Sequence, residues 1–251
     1  MMIIDGHVHI GKWADPNYFG LEWGLEKTEL ELKKCGIGGA LVMPTDAMNN
    51  EAALKEVLGR AGKGMKYWFF PWVSPKGSHM EFLELNKKHI AGIKFHGPTC
   101  GVRITDPSYK DFLAFAHDNS LPVLAHAGKW QEMSSYRYVI ELAKAYPEIR
   151  FIMAHQGGPE PELKVGAARA VRKEGLENVW LDTSATREFW TISMGIKELG
   201  AERFIMGSDF PVSHPKLAVD NIDILGLDSG DKKKILGGNF LEVMGGKRCR
   251  F

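Results

Sequence analysis

The stretch Ile3-Ile4-Asp5-Gly6-His7-Val8-His9 decides how the rest of the chain is read. Its apolar, β-branched opening predicts a buried strand over Ile3–His9. Side chains alternate across a strand, so His7 and His9 are expected to point the same way, roughly 7 Å apart along its axis. Two imidazoles held in that way at a strand's carboxyl end suit one divalent ion. Two structural histidines, each hydrogen-bonded, would give the same short pattern. What the other strands end in decides between the two.

Seven further apolar runs read as strands: Gly39–Met43, Tyr67–Val73, Gly92–His96, Leu121–His126, Arg150–His155, Val179–Thr183 and Arg203–Asp209. Helical patterns fall between them, near Glu26–Cys35, Asn50–Ala61, Met80–His89, Ser108–Asn119, Tyr136–Tyr146, Glu162–Lys173 and Arg187–Leu199, with a last one at Asp231–Leu236. Asp106-Pro107 places a cap before a first-turn proline. Eight strand–helix units in 251 residues predict an α/β fold, a single (β/α)8 TIM barrel filling residues 1–251. A doubly wound open sheet is the structural alternative. After Asp209 the pattern leaves room for the last helix and a tail, and no separate β-sandwich domain is expected before His7.

The bulk numbers narrow the function classes. A net charge of +1 with no basic block gives no nucleic-acid groove and no membrane surface. Lys247-Arg248-Cys249-Arg250 reads as a solvated tail. Cys35, Cys100 and Cys249 are too scattered for a disulfide framework, and no CxxC pair exists. That usage, with no signal peptide or membrane-length apolar run, leads to the expectation of a cytoplasmic protein. A homodimer is the base-rate expectation for assembly.

In a barrel the carboxyl ends of all strands meet on one face, where active sites are built. Five of the nine histidines lie at those ends: His7, His9, His96, His126 and His155. Strand four reads Ile93-Lys94-Phe95-His96, strand five ends in His126, and strand six ends in His155-Gln156-Gly157-Gly158. Strand eight closes on Ser208-Asp209-Phe210-Pro211. An apolar strand gains nothing from a terminal imidazole unless it is liganded or hydrogen-bonded. A shared metal site follows. Neutral nitrogen ligands leave most of a Zn²⁺ charge available to acidify water, and a nearby carboxylate and imidazole then move protons. Asp209 could instead simply cap a helix.

The ordered set of His-x-His, Lys-x-His, a strand-five His, His-x-Gly-Gly and Ser-Asp-x-Pro resembles the amidohydrolase superfamily. The nearest branch is amidohydrolase-2, with its aminocarboxymuconate-semialdehyde decarboxylase-like proteins. Gly237-Gly238-Asn239-Phe240 looks like that branch's terminal Gly-Asn helix signature. The resemblance implies His7, His9, His126 and Asp209 as metal ligands, with Asp209 and His155 catalytic. It implies one divalent ion, Zn²⁺ by preference. In dinuclear relatives a strand-four lysine is carboxylated and bridges two metals, so Lys94 is the alternative second-metal ligand, with His155. With one ion, Lys94 becomes a cation for a substrate carboxylate.

His96 and Arg103 complete the candidate second-metal or substrate-binding set. Asp5 would orient a ligand from behind, and Arg187 could bind a substrate anion. Trp13, Trp23, Trp130 and Trp190 could line an apolar pocket. The expected activity is metal-dependent hydrolysis of a small-molecule amide, lactone or ester by metal-activated water. The alternative is non-oxidative decarboxylation of an aromatic or unsaturated acid at the same centre. A barrel that binds without turnover argues poorly with so complete an acid–base set. A TatD-like nuclease would want a glutamate on the middle strands, where Lys94 stands.

Overall fold

A proline divides the third stave of this molecule, and the barrel is built around that break. The computed structural model describes residues 2–46 and 48–245. The basic stretch 247–250, with Cys249, lies outside them. The strands are β1 (Ile3–Lys12), β2 (Glu22–Trp23), β3 (Ile37–Pro44), β4 (Lys66–Phe69), β5 (Trp72–Val73), β6 (Ile93–Phe95), β7 (Val123–Ala125), β8 (Phe151–Met153), β9 (Val179–Asp182) and β10 (Phe204–Ile205). The helices are α1 (Leu25–Lys34), α2 (Asn50–Arg60), α3 (His79–Asn86), α4 (Gly97–Cys100), α5 (Lys110–Asp118), α6 (Gln131–Ser134), α7 (Tyr136–Ala145), α8 (Pro161–Lys173), α9 (Trp190–Leu199), α10 (Pro215–Asp223), α11 (Ser229–Lys233) and α12 (Asn239–Val243).

The barrel strands pair in parallel, in the order β1-β3-β4 and β5-β6-β7-β8-β9-β10. The expected strand Tyr67–Val73 is one stave in two pieces, because Pro71 has no N–H to give to the ladder. Phe70 N donates to Val42 O at 2.9 Å, and Pro71 O accepts from Lys94 N at 2.8 Å. That stave thus joins the two sheets. The ring closes where β1 meets the end of the last strand: Gly6 N donates to Met206 O (2.8 Å), Asp209 N to His7 O (2.9 Å) and His9 N to Phe210 O (2.8 Å). A Cβ on Gly6 would lie 2.6 Å from Ile205 Cγ2, so this seam needs glycine there. The fold is the eight-stave TIM barrel expected.

Alternation along the staves sorts the core into two layers. Ile93, Phe95, Val123, Ala125, Phe151, Met153, Val179 and Leu181 face the helices. Ile4, Leu41, Trp68, Leu124, Ile152, Trp180 and Ile205 fill the barrel axis, and Phe240 and Val243 of α12 close its floor, with Phe240 edge-on to Trp68 at 4.9 Å. Several elements depart from expectation. β1 runs on to Lys12 and pairs antiparallel with β2. The segment after Asp209 holds two more helices than the one expected at Asp231–Leu236: α10, whose first turn opens at His214-Pro215, and α12. The helix expected over Arg187–Leu199 is α9, which starts at Trp190.

Candidate active site

The inner positions turn polar toward the carboxyl ends of the strands. Lys94 sits level with Leu124, His126 lies two residues beyond Leu124, and Asp182 two beyond Trp180. On β1 a register shift between Asp5 and Val8 breaks the simple alternation. Beyond it Val8 and Ile10 face the helices, so His7 and His9 face the axis. Several non-glycine residues stand in left-handed conformation at this rim, among them His155 (φ 55°), Ala185 (φ 52°) and Asp209 (φ 65°). Such backbone is costly and clusters at functional sites. For His155 the offsetting contact is visible, since its N–H donates to Asp182 Oδ1 at 2.8 Å.

His7 Nε2 and His9 Nε2 each lie 3.4 Å from Asp209 Oδ1. The far nitrogens of both rings are committed. His7 Nδ1 donates to Asp182 Oδ2 (2.8 Å), and His9 Nδ1 donates to Pro44 O (2.8 Å). Neutral rings with those tautomers aim lone pairs at a carboxylate. That contact is repulsive unless a cation stands between. Bonds of about 2.0–2.1 Å at tetrahedral angles put ligand atoms about 3.3–3.4 Å apart, and the spacing here matches. His7, His155 and Asp209 likewise offer ligand atoms within 4.8 Å of one another. His7 Nε2 and His126 Nε2 are buried with no hydrogen-bond partner. The donor set fits a divalent ion.

A single hydroxyl orders the remaining rings. Ser184 Oγ donates to Asp182 Oδ1, so it accepts from His155 Nδ1, 2.9 Å away. His155 Nε2 is then an acceptor, and His126 Nδ1 donates to it at 3.1 Å. His126 Nε2 is left with its lone pair free. Asp182 also accepts from Ser184 N at 3.0 Å. Burial opposes its charge, yet these donors and His7 hold its carboxyl down at about 2.

The charges follow from position. Burial and then the nearby Lys94 push His7 down to about 4. Burial lowers His155, and burial with neighbouring imidazoles lowers His126 further. Burial opposes the charge on Asp209, but positive charge on the facing His9, His7 and His155 rings, or on a cation held among them, keeps its carboxyl well below the usual range. Lys94 is 1% exposed, its Nζ has no hydrogen-bond partner, and burial lowers it to about 8. Burial raises Asp5 to about 7. Its Oδ1 accepts from His7 N (3.1 Å) and Ser208 N (2.9 Å). Asp5 therefore braces the backbone at the seam and does not touch the His7 ring.

These groups open into a cavity of about 830 Å³ lined by His7, His9, Lys94, His96, His126, His155 and Asp209. His96 stacks between Trp72 (4.9 Å) and His126 (3.9 Å), and its Nδ1 caps α4 by accepting from Thr99 N. Trp13, Trp130 and Arg187 also line the cavity. Trp23 packs edge-on against Phe210 instead, and Trp190 is not on the lining. Arg103 is a correction. The short helix α4 carries it away from the cavity, where it donates to Glu132 O and lies 5.5 Å from the Tyr138 ring centre. Cys100 is buried with its Sγ toward Val73 O, and no role was expected of it.

Several lining or bracing residues escaped the sequence reading. Asp182 and Ser184 carried a signal, an acid and a hydroxyl at the end of an apolar strand. Trp72 sat within an expected strand. Tyr18, Lys164 and Glu188 lie in a loop, on a helix flank and in a second loop, and gave none.

A family model described as amidohydrolase matches residues 4–243. No curated protein matches the chain in sequence. Solved structures resemble it along its length. A zinc-bound amidohydrolase from Burkholderia multivorans superposes with a TM-score of 0.76 at 13% identity, covering 98% of this chain and 99% of its own. A dihydroxybenzoic acid decarboxylase from Polaromonas, with manganese and the inhibitor 2-nitroresorcinol, gives 0.74 at 15%, covering 98% of each. A protein of Acinetobacter baumannii assigned as a 2-pyrone-4,6-dicarboxylic acid hydrolase, with citric acid bound, gives 0.72 at 15%, covering 98% of this chain and 100% of its own. At such identities the likeness speaks for the fold.

Proposed function

We propose that this chain, which belongs to the amidohydrolase family, is a metal-dependent hydrolase of a small-molecule amide, lactone or ester. The observation that carries the reading is the spacing of His7 Nε2, His9 Nε2 and Asp209 Oδ1, 3.4 Å along each imidazole–carboxylate edge with no proton to share. His7, His9, Asp209 and the free Nε2 of His126 would hold one divalent ion, with Zn²⁺ the first choice. Such an ion supplies Lewis acidity, drawing electron density from an oxygen that it touches.

The rest falls to the side chains. Asp209 is ionised, so it begins the cycle as a proton acceptor. It would take the proton from the attacking water and pass it to the leaving nitrogen or oxygen. Lys94 Nζ, buried and without a hydrogen-bond partner, would stabilise negative charge that develops on the substrate. Trp13, stacked on Tyr18 at 4.4 Å, and the Trp72 ring give flat faces for an unsaturated body.

A second reading, decarboxylation of an aromatic or unsaturated acid, draws on the same Lys94, which would pair with a substrate carboxylate. It needs Asp209 to arrive protonated and hand its proton to carbon as CO₂ leaves. Turnover of unsaturated lactones and aromatic acids in isotope-labelled water separates the two. Labelled oxygen in the product marks a hydrolase. CO₂ release with solvent hydrogen on the carbon that bore the carboxyl group marks a decarboxylase. Neither product from metal-loaded protein overturns both readings.

A further inference from the structure

The wall of the cavity beside the His155 turn is built at some cost and is not used by the chemistry above. Lys164 lies in the first turn of α8 and is 2% exposed, yet it borders the cavity. A cation there is unfavourable twice over, once for losing water and once for facing the positive end of the helix dipole. Its Nζ makes one hydrogen bond, to Glu188 Oε2 at 3.1 Å, and that partner is 38% exposed. An ammonium carries three N–H donors, so two are left to point elsewhere. Thr186, two residues before Glu188, is 8% exposed, also borders the cavity, and its Oγ1 is buried without a partner. Arg187 follows on the same lining, exposed toward the mouth. The wall thus carries two cations against the single carboxylate of Glu188.

We propose that Lys164, Thr186 and Arg187 form a recognition subsite for a carboxylate on the substrate, at the end away from the bond that is cleaved. Lys164 Nζ and Thr186 Oγ1 donate to its oxygens, while Arg187 closes over it from the mouth. Glu188 holds Lys164 in place when the subsite is free. The substrate is therefore an unsaturated molecule with a remote carboxylate in addition to its reactive group. The inference rests on the metal-centred reading only for where the reactive end lies.

The test is calorimetric binding of carboxylate probes to the purified, metal-loaded protein. Benzoate offers one carboxylate; isophthalate, terephthalate and biphenyl-dicarboxylate offer two at growing separation. At least one dicarboxylate should bind about tenfold or more tightly than benzoate, the effect of one charge-assisted hydrogen bond. Lys164→Met should bring that ratio close to one. Thr186→Val, nearly the same in shape, should reduce the ratio in the same direction and serves if Lys164→Met does not fold.

The inference is overturned if no dicarboxylate outbinds benzoate, or if the ratio survives in the variants. The latter would make Lys164–Glu188 a structural ion pair. Stripping the metal with a chelator separates this from the reading of the centre. If the centre fails, stripping leaves benzoate affinity unchanged, while the dicarboxylate ratio still depends on Lys164. If the subsite fails, benzoate weakens on stripping and the ratio ignores Lys164.

Discussion

Ser184 Oγ lies 2.9 Å from His155 Nδ1, and through that ring it decides which nitrogen His126 leaves free. Ser184→Ala removes the acceptor that fixes the His155 tautomer. Metal affinity should fall about 10–100-fold, the usual cost of losing a partner behind a ligand. Competition against a chelating dye reads this directly. Ser184→Thr, which keeps the hydroxyl, should recover most of the loss. Unchanged affinity in Ser184→Ala would show that the ring orientations are set elsewhere.

Asp209 is the one acidic group facing both His7 and His9 at 3.4 Å. Asp209→Asn preserves the backbone bond from residue 209 N to His7 O, so the seam should still close. Turnover should drop about 10²–10⁴-fold, as expected when a proton-transfer group is lost. The circular-dichroism spectrum should not change. Residual activity near wild type would move the proton chemistry to another group.

The proposal of a single ion is tested at Lys94, whose Nζ is buried with no hydrogen-bond partner. Elemental analysis of protein purified without chelator should give one ion per chain, and Lys94→Met should not alter that figure. Two ions, with the mass of CO₂ added on Lys94, would establish the bridged dinuclear centre instead.

Away from the cavity, Glu29 is buried and gathers Tyr67 Oη (2.6 Å), Arg60 Nε (3.0 Å) and Lys33. Burial opposes its charge, but these donors prevail and its carboxyl lies below the ordinary 4.5. A depressed carboxyl contributes stability that is complete above the unfolded value and is lost as pH falls toward the folded one. Glu29→Gln should therefore lower Tm at neutral pH and flatten the decline of Tm on acidification below about pH 5. An acid limb as steep as wild type would place the acid sensitivity in other carboxylates.

The eight staves were legible because each is a short apolar run whose inner and outer positions are both buried. The division at Pro71 was not, since Phe70 and Trp72 on either side continue the apolar run. α10 was missed because Ser213-His214-Pro215 reads as loop, although a proline in a first helical turn is itself a start signal. The histidines were found from their places at strand ends. Asp182 fell inside the expected strand Val179–Thr183 without being singled out, and only its contacts with His7, His155 and Ser184 reveal what it does. Arg103 misled because distance along the chain from strand four says nothing of direction, and α4 turns the chain outward.

The seam between β1 and residues 206–210 joins the earliest and latest staves of the ring, and the candidate ligands straddle it. His7 and His9 come from one lip and Asp209 from the other. No half-built intermediate can offer the full set, so capture of an ion reports that the ring has shut. Binding energy at this centre also acts as a clasp on the ring, and chelation should make this junction the first to exchange its amide hydrogens.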